Sequence, residues 1–355
     1  VPQKNWASGN SGFYGDGKVI DSPLWGQGAP FNDLCPLDDG YRSVTGCVAT
    51  AMSIVLRYNK YPAHGNGYLE SYVTDSKKIS VEGYSIDDHL YNWNNMPYVY
   101  NSSTTAQQNE AVAQLMHDCG VMMRMDYSSS GSGAHSENIL PELVEHMGYA
   151  KSAKYLSHAN FNHDEWFILI ASEINKGRLV LYDGADITGG GGHQFVSDGY
   201  DSAGNLHINW GWNGSCNGFF SVSYLGDSQS GVYAKYDNIL IGLVPEYESD
   251  PGFNPNLTYY SGNGLTVQGE VEKGSTFYAS VDYLANLGYK EFVGNLYVCI
   301  VDKYNKIREL VSNPINFSLQ DYSINSGDEL RNIPCTVVNT TLRPDDGIAM
   351  ACECN

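Results

Sequence analysis

The chain has 355 residues, eight cysteines and a net charge of −20. That charge repels nucleic-acid phosphates with no lysine or arginine cluster to offset it, and no apolar stretch approaches the roughly 18–20 residues of a membrane helix. The cysteines are too sparse for a disulfide scaffold and lack zinc-site pairing, and the length exceeds one ordinary core, so two globular domains are expected.

The first 45 residues are rich in Gly, Pro, Asn and aromatics without periodicity, which reads as loop wrapping a domain. Within them Gln27 sits between Gly26 and Gly28, ahead of Ala29-Pro30-Phe31-Asn32. From Gly46 to Pro62, apolar residues fall at Val48, Ala51, Met52, Val55 and Leu56, the spacing of one helical face, and Pro62 supplies the stop. Cys47 therefore opens a buried helix. Residues 60–105 mix turns with short strands, and 106–120 form a second helix with Ala111, Leu115, Met116 and Cys119 in its stripe. Ser128 to Gly133 is a polar, glycine-rich loop without an evident packing role, free to lie beside an extended peptide or to be a plain linker.

Glu137 to Met147 and Asp164 to Asn175 read as two further helices. Arg178–Tyr182, Gln194–Tyr200, Leu206–Trp210, Gly218–Tyr224 and Ile239–Val244 read as strands parted by turns. An acidic, proline-bearing linker follows over 246–256. Beyond it strands are expected at 265–271, 276–283, 293–301, 308–310, 315–319 and 335–342, the pattern of a small immunoglobulin-like antiparallel sandwich over 257–355. The fold class is α+β: a two-part domain over 1–245, helices first and antiparallel sheet second, then the all-β domain.

The chemistry concentrates in two stretches. At a helix start, unpaired N–H groups and the positive dipole end favour a thiolate, so Cys47 is a candidate nucleophile rather than a small hydrophobe. The second stretch, Gly189-Gly190-Gly191-Gly192-His193, reads as a flexible glycine loop delivering an imidazole to a buried strand. Asn209 on the next strand could hold the far ring nitrogen, with the indoles of Trp210 and Trp212 excluding water. His207 is the rival base, but it lacks the glycine approach. His64, His89, His135, His146, His158 and His163 lie in polar or loop contexts and read as solvated. No His-Glu-x-x-His pattern occurs, so neither metal nor cofactor is expected.

Thr45-Gly46-Cys47-Val48-Ala49-Thr50-Ala51, Tyr58-Asn59-Lys60-Tyr61-Pro62, Gly191-Gly192-His193 and Asn209-Trp210-Gly211-Trp212 together resemble the streptopain family of papain-like cysteine proteases. Tyr91-Asn92-Trp93-Asn94-Asn95, Met125-Asp126-Tyr127 with the loop after it, and Gly218-Phe219-Phe220 extend the resemblance over about residues 1–245. It implies an endopeptidase acting on protein substrates through Cys47 and His193, with Asn209 a further member and Gln27 in the oxyanion hole. It also implies that Ser132 and Gly192 flank the substrate, with Trp212 beside it. A secretion signal and an inhibitory propeptide are expected to have preceded Val1, which places the protein outside the cell or at its surface. In papain-like enzymes at large the orienting asparagine precedes Ser-Trp-Gly, whereas here it precedes Trp210-Gly211-Trp212, so Asn209 is also readable as an ordinary strand residue. Two rivals stand beside this reading: another thiol acyl transferase such as a cell-wall amidase, separable by casein cleavage without action on peptidoglycan, and an adhesin with an idle protease domain, whose effect would survive Cys47→Ala.

Overall fold

The computed structural model describes residues 16–161, 163–227, 231–249, 256–259, 264–302, 306–321, 323–325 and 328–354. Two compact units emerge, one from the described residues of 16–150 and 163–249, the other from 151–161 together with the described residues from 256 onward.

In the first unit α1 spans Cys47–Asn59, with all of Val48 to Arg57 buried, and ends where Lys60 turns left-handed at φ 50°, two residues before Pro62. It is a helix apolar enough to be enclosed on every side, which suits the centre of a domain. α2, Ala106–Met122, packs against it and starts with a capping box, Thr105 and Gln108 each bonding the other's backbone N–H. It runs two residues past the expected end. α3 covers Ile139–Met147 and closes at left-handed Gly148, and α4 covers His163–Asn175. No helix among the described residues is long and apolar enough to cross a membrane.

The sheet of this unit is antiparallel. Its strands are β1 (Lys18–Val19), β2 (Val180–Ala185), β3 (Gly192–Tyr200), β4 (Asn205–Asn209), β5 (Gly218–Ser221) and β6 (Lys235–Ile241), in the order β5-β4-β3-β2-β6, with β1 joining β3. Eight of the nine residues of β3 are buried because α1 and α4 both pack on it. The chain before α1 straps the unit together. Lys18 pairs with Tyr200, Ser22 donates to Asp198, Leu24 bridges to Val99, and Trp25 donates its indole N–H to the Pro97 carbonyl while accepting the Asn213 N–H.

Two histidines expected in solvent are instead structural. His146 is 8% exposed, with ring nitrogens at the Asn66 carbonyl and Glu142. His89 is paired with Asp118, a fully buried carboxylate that also accepts the Tyr84 and Tyr91 hydroxyls; the pairing raises the His89 pKa. A buried carboxylate needs that many donors, and the tyrosines that supply them lie in the turn-rich segment before α2.

The second unit is a sandwich. One sheet sets Thr276–Val281 between Leu265–Gln268 and Ile333–Thr336; the facing sheet is centred on Phe292–Val301, flanked by Ile307–Leu310, Ile315–Leu319 and Gly347–Cys354. Phe277 and Ala279 of the first meet Val298 and Ile300 of the second across the core. Gly347–Cys354 pairs with eight residues of Phe292–Val301. It was not among the expected strands, since it carries one β-branched residue, Ile348, and a polar end. Of the expected linker, 250–255 lies outside the described residues. Its first part, Glu246–Glu248, is a short 3₁₀ turn of the first unit, tied by the Glu246 N–H to the Gly148 carbonyl.

Candidate active site

α1 starts without a side-chain cap. Gly46, at φ 85°, makes the turn into it, and its carbonyl takes both the N–H and the hydroxyl of Thr50. The glycine is required there by backbone and by space, since a Cβ would lie 2.6 Å from the Met125 sulfur. Left uncapped, the first N–H groups of the helix turn to the Cys47 sulfur: those of Cys47 and Val48 act on it, together with the Gln194 N–H from β3. Half-buried Cys47 thus sits against the residue that follows His193.

The expected depression of the thiol pKa is not what results. Burial pushes the Cys47 thiol up, and the three N–H groups only pull against that rise. Burial therefore favours the neutral form of the thiol.

His193, 8% exposed, lies at the entry of β3. Its Nε2 is 2.9 Å from the Trp210 carbonyl. A carbonyl only accepts, so Nε2 carries the proton and Nδ1 keeps its lone pair. The ring stacks on Trp212 at 4.9 Å and meets Tyr233 at 5.2 Å, Phe195 at 5.9 Å and Trp210 at 6.1 Å. This aromatic box lowers the His193 pKa to about 4, burial outweighing the Trp210 carbonyl.

Asn209 does not hold the imidazole. Its amide donates to the Ser22 hydroxyl and the Pro23 carbonyl, at 2.8 and 2.9 Å, and its oxygen accepts the Gly211 N–H. Strand alternation turns it, with His207, toward the strap before α1, where His207 pairs with Asp198. The orienting oxygen comes one residue later, from the Trp210 main chain.

Gln27 is brought to the start of α1 because its carbonyl accepts the Thr45 N–H, and adjacent Gly26 lies against Asn213, where a Cβ would collide. The Ser128–Gly133 loop has a structural role after all: Asp38 accepts the Ser128 hydroxyl and both donors of Ser129, and the Ser132 hydroxyl is bonded to Val44 and Ser128. The Ser132 side chain is thereby committed to the loop, while its carbonyl lies next to Gly46. Gly192 is exposed at the end of β3 and pairs with Ala185. The glycine run before it is braced by Asp186 instead of hanging loose, with Gly190 and Thr188 donating to its carboxylate. Tyr233 and Asp186 escaped the sequence reading, because neither carries a motif and both reach the site only through the pairing of β2, β3 and β6.

A thiol at an uncapped helix start, set against an imidazole on an antiparallel sheet, defines a papain-like cysteine peptidase. Residues 25–220 match the Peptidase C10 family, and the chain belongs to that family. It is 34% identical over 249 residues to the thiol protease/hemagglutinin PrtT of Porphyromonas gingivalis, covering 68% of this chain and 28% of that protein. It is 31% identical over 244 residues to streptopain of Streptococcus pyogenes, covering 62% of this chain and 60% of that protein. The chain thus spans less than two thirds of either relative. Among solved structures, active interpain A of Prevotella intermedia superposes with a TM-score of 0.61 at 31% identity, covering 67% of this chain and all of that one. A prointerpain A fragment gives 0.58 at 32%, covering 68% and 76%.

Proposed function

We propose that this chain is a secreted cysteine endopeptidase that cleaves protein substrates through an acyl-enzyme. The observation that carries this is the Gln194 N–H on the Cys47 sulfur, which sets the thiol beside a buried imidazole whose Nδ1 is free to accept a proton. His193 takes the thiol proton as Cys47 attacks the peptide carbonyl, then gives it to the leaving amine; the imidazole next activates the water that releases the acyl group. Oxygen charge in the tetrahedral states is met by the Cys47 N–H and the Gln27 amide. The Trp210 carbonyl orients the ring, Trp212 covers it, and the main chain at Ser132 and Gly192 flanks the peptide. Following streptopain-like enzymes, an apolar residue is preferred two positions before the cut.

A thiol-directed epoxide followed by mass spectrometry, beside a casein assay on wild type and Cys47→Ala, tests the mechanism. One adduct on Cys47 and no cleavage by the mutant is the expected result; cleavage that survives the mutation would sink it. Named relatives include a proenzyme fragment, which supports synthesis as a zymogen. Immunoblotting of culture medium should find a precursor that shortens on activation, and a product confined to the cells would overturn secretion.

A further inference from the structure

The Asp186 carboxylate is 7% exposed and gathers four donors: the Thr188 N–H at 3.1 Å and hydroxyl at 2.5 Å, the Gly190 N–H at 3.1 Å and the Val232 N–H at 3.3 Å. No cation is among these partners; hydrogen bonds alone stabilise the anion, and they hold its pKa down at about 2. Two further main-chain bonds frame the group. The Asp186 N–H donates to the Gly191 carbonyl, and the Ile187 N–H to the Val232 carbonyl. The space at Gly190 is matched to it, since a Cβ there would come within 2.5 Å of the carboxylate oxygen.

Both segments fastened in this way end on the catalytic imidazole. The turn 186–191 runs directly into Gly192 and His193, and Val232 precedes Tyr233, whose ring stands 5.2 Å from that of His193. We infer that Asp186 is a positioning residue for His193, a four-donor knot that fixes the approach of the imidazole and one wall of its aromatic box together. The inference rests on the thiol-protease reading, in which the setting of the ring matters. A carboxylate is suited to the knot because it is acceptor-only; an asparagine amide in its place turns one of the two oxygens into a donor facing N–H groups.

The test uses Asp186→Asn and the milder Thr188→Val, which removes one hydroxyl donor and leaves the carboxylate. Three readouts are compared with wild type: kcat and KM on a peptide substrate, the rate of Cys47 alkylation by iodoacetamide at neutral pH, and Tm. A misplaced base lowers kcat between about 10- and 100-fold in Asp186→Asn, with KM within about twofold. Cys47 alkylation slows in parallel, and Thr188→Val shows a smaller loss of about two- to fivefold in both rates. A lower Tm with both rates kept would make the knot merely structural and overturn the inference, as would a rise in KM alone. Failure of the underlying reading looks different: casein cleavage by Cys47→Ala would remove it whatever Asp186→Asn does.

Discussion

The two halves of the site are held by opposite means. Cys47 opens a helix without a side-chain cap, and the main-chain N–H groups of Gln194, Val48 and Cys47 draw on its sulfur. His193 is fixed by one carbonyl and by four aromatic rings. Burial nevertheless drives both toward neutrality, the thiol up and the imidazole down to about 4. Burial thus works against a standing ion pair at rest, and the proposed mechanism asks His193 Nδ1 to take the thiol proton.

Removing the imidazole breaks this arrangement most severely. His193→Ala should lower kcat/KM by about 10²- to 10⁴-fold with the fold retained, as steady-state kinetics and circular dichroism would show. Next comes Gly46→Ala, which places a Cβ on the Met125 sulfur at a positive φ. It should cost about 1–3 kcal/mol in a denaturant titration and slow Cys47 alkylation about tenfold by displacing the helix start.

The imidazole half is sharpened by pH. His193 binds its proton less readily folded than unfolded, so between its ordinary value of 6.5 and about 4 the unfolded chain holds more protons. Its neutral burial therefore supports the fold above pH 6.5, and about 3 kcal/mol of stability is lost as pH falls through that window to about 4. Activity should share the acid limb near pH 4. Trp212→Ala opens the stacked face of the ring and should move that limb up by about one pH unit in a kcat/KM profile; an unmoved limb would show that Trp212 does not set the burial of the ring. The smallest effect is expected from Asp38→Ala, which releases Ser128 and Ser129: KM rises about two- to threefold with kcat kept, and limited proteolysis cuts the 128–133 loop sooner.

The thiol half was the more legible in sequence. Helical spacing from Val48 to Leu56, a glycine before Cys47 and a proline after the end specify a buried helix start from local rules alone, and α1 follows them. The imidazole half depends on register between strands distant in sequence. The glycine run marked His193, but Asn209 was separated from its expected place by strand alternation, and a main-chain carbonyl does in its stead what no side-chain pattern announces. Tyr233 and Asp186 lie 47 residues apart and meet through the pairing of β6 and β2, which periodicity does not reveal. In the sandwich, Ile315–Leu319 was readable by alternation, whereas Gly347–Cys354 becomes a strand because Phe292–Val301 offers it a long edge.

The strap before α1 has a mechanical consequence. Trp25 is bonded on one side to Pro97 and on the other to Asn213, and Gln27 follows two residues later. A cleft between a helical part and a sheet would ordinarily admit bulky material by spreading. Here the two bonds of Trp25 tie the segment before α2 to the turn after β4, so any spreading of those two segments would load Trp25 from both sides and pull on the main chain that carries Gln27.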